Sequence, residues 1–205
     1  DGVIAKMASL GATIVHFALS EYDTLLPAIN TQPFEARTVM ERYFSALGPN
    51  APVKSFAQLV AAKSSAVQTT LEAELAVIDD MSSQTYKERL LNRDRLRLAV
   101  ATTIADLNVD AILYPLQKIL VVPVTAGDQA ERNGTLSNGT GFPAVTFPAG
   151  FSAPSDSAPF GVPVGGELLG LDYTEDTLLA YAYAFEQATK IRKPPASTPP
   201  LPNEP

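Results

Sequence analysis

The 205-residue chain contains no cysteine and a single histidine, His16. Without cysteine there is no disulfide framework, thiolate nucleophile or Cys-ligated metal. A zinc site takes at least three ligands, usually including His or Cys, and this composition does not favour one. Neither metal nor cofactor is expected. The lack of cysteine leaves the compartment open. Charge is also scarce, at 18% of residues against about 25% in typical globular proteins. The net charge is −7 with no basic stripe to offset it, which argues against nucleic acid or an anionic membrane surface as a partner. No apolar run approaches the roughly 20 residues of a membrane span. The chain opens on Asp1 with neither Met nor a signal-like segment, so it is expected to be processed or a piece of something longer.

Apolar residues make up 46% of the chain, enough for a substantial core in one domain with a peripheral helical part. Residues 3–10, "VIAKMASL", read as a helix with Gly11 as its C′ residue. The β-branched "ATIVHF" at 12–17 reads as a strand. Phe34, Met40, Tyr43, Phe44 and Leu47 share one face of a helix stopped by Gly48. Ser55 with Gln58, and Thr85 with Glu88, have capping-box spacing. Tyr86, Leu90, Leu96, Val100, Ile104 and Leu107 recur every three to four residues through the longest helix. "DAILYP" at 110–115, "FPAVTFPAG" and "FGVPVGGELLG" read as strands, with "ILVVPV" (119–124) as a further apolar run. Leu178, Ala182, Phe185 and Thr189 form the face of a last helix ended by Pro194 and Pro195, and 194–205 is a proline-rich tail. Long helices alternating with short apolar strands give an α/β fold, a mixed β-sheet flanked by helices. Each proline removes a ladder donor, so Pro143, Pro148 and Pro163 belong at strand ends, edges or bulges.

Reactive groups are few. No G-x-S-x-G turn presents a serine to His16, which reads as a packed or exposed strand residue. Lys63-Ser64-Ser65 lacks a glycine turn to expose a hydroxyl and reads as an ordinary helix face or end. "NGTGFPA" and "PVGGEL" have the glycines of a phosphate loop without its lysine. The carboxylate pairs Asp79–Asp80 and Glu72/Glu74 read as solvated, and Glu175–Asp176 suits the start of the last helix. Arg93 to Arg97, "RDRLR", reads as a solvated helix face, and Glu167 as an ion-pair partner inside an apolar strand. Asn133 and Asn138 match the N-glycosylation pattern, although Asn-Gly is first a turn signal.

"NGTLSNGTGFPAVTFPAGF", "FGVPVGGELLG" and "YTEDTLLAYAYAFEQATKIRKPP" together resemble the C-terminal part of the amidase signature family. The combination carries the likeness: a G-F-P-A strand, a P-V-G strand ending L-L-G, a Glu before Leu-Leu, an Ala/Tyr-rich helix and a closing R-x-P-P. It extends over residues 1–193, with 33–92 a weakly matching helical excursion. The resemblance implies an amidase acting on carboxylic amides through a Ser–cis-Ser–Lys triad. The triad's Gly/Ser-rich signature does not occur here, so no residue is carried over as catalytic. The expected role is that of sheet and pocket wall, with the triad in an N-terminal half. In family enzymes the segment before the F-P-A strand lies near the acyl or leaving-group pocket, which makes Leu136, Ser137 and Thr140 substrate-binding candidates. The alternative is that this loop only turns the chain. Three functions stay open: half of an amidase with a small amide substrate, a non-catalytic binding module, or an unrelated α/β binding domain. The partner implied is the N-terminal half, or a second copy meeting the exposed edge of 12–17.

Overall fold

A computed structural model describes residues 1–63, 68–76, 80–126, 129 and 131–194. The chain divides into two compact units, one from residues 1–19 and Arg97 onward, the other from residues 20–96.

The unit at 20–96 is helical. It contains α2 (Tyr22–Leu25), a 3₁₀ turn at Leu26–Ala28, α3 (Gln32–Ala46), α4 (Phe56–Ala61), α5 (Gln68–Ala76) and the start of α6 (Gln84–Leu107), following α1 (Gly2–Ser9) of the other unit. Phe44, Phe56 and Val60 form its core, with Met40, Leu59, Leu71 and Leu75 packed around them. Tyr43 and Leu47 stay 58% and 43% exposed, so only part of the expected α3 face is buried. Ser55 caps α4 by accepting from the Gln58 amide at 3.1 Å, while the Gln58 side chain accepts from the Lys54 amide rather than closing the box. The cap of α6 is Ser83, which accepts from the Tyr86 amide at 3.2 Å, not Thr85. Ser83 stands just outside the helix with its oxygen over the first turn, whereas Thr85 lies inside it.

The other unit holds the sheet. α1 closes in a Schellman turn: the Gly11 amide donates to Ala8 O and the Ala12 amide to Met7 O, with Gly11 at φ +102°. Three antiparallel strands, β1 (Ile112–Pro115), β2 (Ala144–Phe151) and β3 (Pro163–Leu169), lie in the order β1-β3-β2. The prolines fall where a missing N–H is tolerated. Pro143 precedes β2, Pro163 opens β3, and Pro148 sits at the bulge where register shifts before Gly150.

Strand alternation puts Leu113, Val145, Phe147, Gly166 and Leu168 on one sheet face. There Leu178, Ala182 and Phe185 of α8 (Glu175–Thr189) pack with Met7, Phe147 and Leu168, all buried. The Phe147 and Phe185 rings meet at 4.9 Å, tilted by 59°, a geometry that adds to plain area burial. α8 ends at Lys190, which takes a left-handed conformation before the prolines are reached. The opposite sheet face carries Ile112, Tyr114, Leu169 and Glu167.

Residues 12–17 are not a strand. They are irregular, and no hydrogen bond among the described residues reaches the backbone of 13–17. A strand exists only by pairing, and no described strand runs beside this stretch. Ile14 packs on the core cluster, while Val15 and Phe17 remain 41% and 40% exposed. The run 119–123 is likewise irregular, leading to a 3₁₀ turn at Val124–Ala126.

A Cβ added at Gly166 would lie 2.7 Å from the Phe147 ring, while one at Gly165 comes no closer than 3.8 Å to Leu116. Gly166→Ala is therefore expected to cost about 1–3 kcal/mol and Gly165→Ala under about 1 kcal/mol, compared by denaturant melts. Tyr181 Oη donates to Asp110 Oδ2 at 3.1 Å. Desolvation, then that bond and the carboxylate's charge, raise the phenol above its ordinary value. The folded chain thus keeps this proton to higher pH than the unfolded chain. The resulting stability is complete below pH about 10 and is lost as pH rises through the folded value. Stability should fall on that limb, and Tyr181→Phe should flatten the fall in urea titrations at stepped pH.

Candidate functional site

The glycine-rich stretch before β2 is not an open loop. Residues 135–140 form a short helix, α7 (Thr135–Thr140), ended by Gly141 in the left-handed conformation at φ +69°. Glycine adopts that conformation without the strain a Cβ would bring. The helix is tied to the sheet at its start. The Asn133 amide donates to Leu116 O at 3.1 Å, and Asn133 Nδ2 donates to Pro115 O at 2.9 Å. Leu116 in turn donates to Gly165 O, extending the β1–β3 ladder by one bond. The excursion between β1 and α7 closes on itself by the Gln117–Arg132 bridge and by Lys118 N donating to Glu131 O at 2.9 Å.

The three candidate pocket residues sit on this helix in different states. Leu136 and Thr140 are each 5% exposed. The Thr140 hydroxyl donates to Leu136 O at 2.8 Å and accepts from the Phe142 amide at 3.4 Å, so it is used locally. Ser137 is half-buried, and its hydroxyl donates to Gly134 O at 3.0 Å. Leu136 and Thr140 therefore root the helix in the interior, and Ser137 is the candidate with surface to offer.

Two charged residues behave differently from their sequence pattern. Arg97 does not belong to a solvated helix face. Its Nη1 donates to Thr140 O at 2.7 Å, its Nη2 pairs with Asp172, and its guanidinium lies 4.1 Å from the centre of the Phe142 ring. Glu167 is 3% exposed. It is not in an ion pair among the described residues; it accepts instead from Tyr114 Oη at 2.5 Å, across the β1–β3 ladder. Periodicity could not reveal either contact, because both partners come from distant strands and turns.

The remaining sequence candidates do not converge. His16 is exposed. Ser64, Ser65 and Asp79 lie outside the described residues. Asp80 accepts from the Ser82 amide and hydroxyl, Glu72 from Gln68, and Glu74 from Gln32. Glu175 and Asp176 occupy the first turn of α8. Among the described residues no group of three or more His, Cys, Asp or Glu is placed to hold a metal ion, and no helix is long and apolar enough to cross a membrane.

The sequence profile of the family described as Amidase matches residues 1–179. Similar chains include a probable amidase of Arabidopsis thaliana, 46% identical over 55 residues, 27% of this chain and 10% of that protein. A glutamyl-tRNA(Gln) amidotransferase subunit of Streptococcus pneumoniae is 34% identical over 95 residues, 46% of this chain and 15% of that protein. Among solved structures, the native peptide amidase of Stenotrophomonas maltophilia superposes with a TM-score of 0.67 at 24% identity, over 94% of this chain and 39% of that one. At that identity the likeness establishes the fold alone, an α/β amidase-signature fold. The matched region thus spans 10–15% of these curated relatives and about two fifths of the solved neighbour.

The Glu167–Tyr114 contact is open to a double-mutant cycle. Glu167→Leu and Tyr114→Phe are expected to couple by about 1–3 kcal/mol in denaturant melts. Glu167→Gln, which keeps an acceptor oxygen, should retain most of that coupling.

Proposed function

Because the chain belongs to the amidase family, we propose that it is the C-terminal part of an amidase that hydrolyses carboxylic amide C–N bonds. The family match over residues 1–179 carries this reading. The hydrolysis would use the Ser–cis-Ser–Lys triad that the resemblance implies, located in an N-terminal portion. There the nucleophilic serine attacks the amide carbonyl, the amine leaves with a proton, and water releases the acyl group as a carboxylic acid. This chain contributes the sheet and one wall of the substrate pocket: Leu136 and Thr140 anchor α7, and Ser137 presents its surface to a small amide substrate.

A second reading, a non-catalytic binding module, is favoured by one observation. Val15 and Phe17 stand 41% and 40% exposed along residues 13–17, whose backbone has unpaired hydrogen-bonding groups among the described residues. Unpaired, apolar and free of proline, such a stretch is a template for another strand. The proposed occupant is the triad-bearing portion, or a second copy of this chain when that portion is absent. One relative is by name part of an amidotransferase with more than one kind of chain, which fits assembly with partners.

The purified chain is expected to show no turnover on aryl and aliphatic amides. Co-expression with the triad-bearing portion should give turnover. Turnover by the chain alone, abolished at Ser64 or Ser65, would overturn the division of labour proposed here. Val15→Lys should lower self-association in light scattering without lowering the melting temperature if Val15 meets a partner strand. A drop in melting temperature with unchanged oligomer size would instead place Val15 in the core.

A further inference from the structure

Arg97 makes three kinds of contact at once, two to the Thr140–Phe142 turn and one to Asp172. The Thr140 carbonyl it caps belongs to the last turn of α7, where helix carbonyls have no intrahelical donor and a cation is favoured. Phe142, under the guanidinium at 4.1 Å, is the residue that follows the left-handed Gly141 and leads into β2. Asp172 lies in the turn between β3 and α8. The guanidinium therefore holds the exit of α7 from α6, just as Asn133 holds its entrance from the end of β1. Ser137 lies between those two ties, with its hydroxyl donating to Gly134 O. No lysine could replace the arrangement, since an ammonium cannot present two forked donors and a flat face together.

We propose that Arg97 is the positioning residue of the α7 wall. It sets where Ser137 stands and so determines how large a substrate group fits beside it. This rests on the reading of α7 as a substrate-pocket wall. Arg97 does not touch the reacting atoms on this account. A displaced wall changes binding of the group that reaches it, and binding lost equally in ground and transition states appears in KM rather than in kcat.

The test has two arms, both using Arg97→Lys and Arg97→Ala. In the 205-residue chain, hydrogen exchange is measured at the amides of residues 136–142, with Leu168 and Leu169 of β3 as internal controls. Both variants should exchange faster at α7 and Gly141 while the β3 amides stay protected. Exchange unchanged at α7, or raised equally in β3, overturns the clamp. In the polypeptide that also carries the triad, kinetics are measured on acetyl, butyryl and benzoyl p-nitroanilides. Arg97→Lys should raise KM for the largest acyl group by about tenfold and leave kcat within about threefold. The acetyl compound should be hardly affected. An equal loss on all three substrates would show that Arg97 supports folding only and would overturn the positioning role. A wild-type polypeptide that turns over no amide would overturn the amidase reading and the substrate part of this proposal with it. The exchange arm would still decide the clamp.

Discussion

The Phe147 ring lies across Gly166 of the neighbouring strand and against Phe185 of α8. This contact joins β2, β3 and the last helix in one place. It requires the absence of a side chain at Gly166 and an aromatic ring at 147 with a ring to meet it at 185. Deleting a buried phenylalanine costs about 3–5 kcal/mol. The exposed Lys118–Glu131 pair, at 3.6 Å, belongs to a class worth about 0–1 kcal/mol. The sheet-to-helix layer is thus held by packing, and surface charge pairs do little for it. The β2–β3 register depends on it, because only a residue without a side chain at 166 lets the opposing Phe147 ring cross β3.

On that platform the polar groups near α7 have been used for construction. Thr140 bonds within its own helix, Asn133 bonds the end of β1, and Arg97 bonds the helix exit. A reaction centre needs a nucleophile beside a base, whereas Thr140, Asn133 and Arg97 each donate to a backbone carbonyl. They tie α7 at both ends, with a small hydroxyl residue, Ser137, half-buried between the ties.

The parts of this fold legible from sequence are those set by local chemistry. The Gly11 turn, the α8 face of Leu178, Ala182 and Phe185, and the placing of Pro148 at a bulge follow from conformational preference and periodicity. The β-branched run at 12–17 misled because β-propensity describes fitness for a sheet and cannot supply the neighbouring strand. Arg97 was hidden in a charged run, although it directly follows the buried Leu96 and precedes the buried Val100. A charge beside a buried stripe is placed at the margin of the core, where it can reach inward. Glu167 was legible as unusual within an apolar strand, but its partner Tyr114 is set by the β1–β3 register. Ser137 stands out only through a family likeness, and glycines at 134, 139 and 141 mask the helical form of its segment.

The three contacts of Arg97 are not equal, and their ranking says what kind of device it is. The Asp172 pair is 37% and 49% exposed on its two side chains, so salt screens it and it contributes about 0–1 kcal/mol. The cation–π contact with the buried Phe142 belongs to a class worth about 0.5–2 kcal/mol. The charged hydrogen bond to the Thr140 carbonyl is of a class worth about 1.5–3 kcal/mol. The two stronger contacts both bear on the Thr140–Phe142 turn, and the weakest one reaches toward α8. Arg97 is therefore first a fastener of α7 and only secondarily a link to the last helix. A fastener whose main contacts go to a carbonyl and a ring keeps its hold as ionic strength rises. Its grip on the α7 exit is thus a fixed feature of the turn rather than a switch.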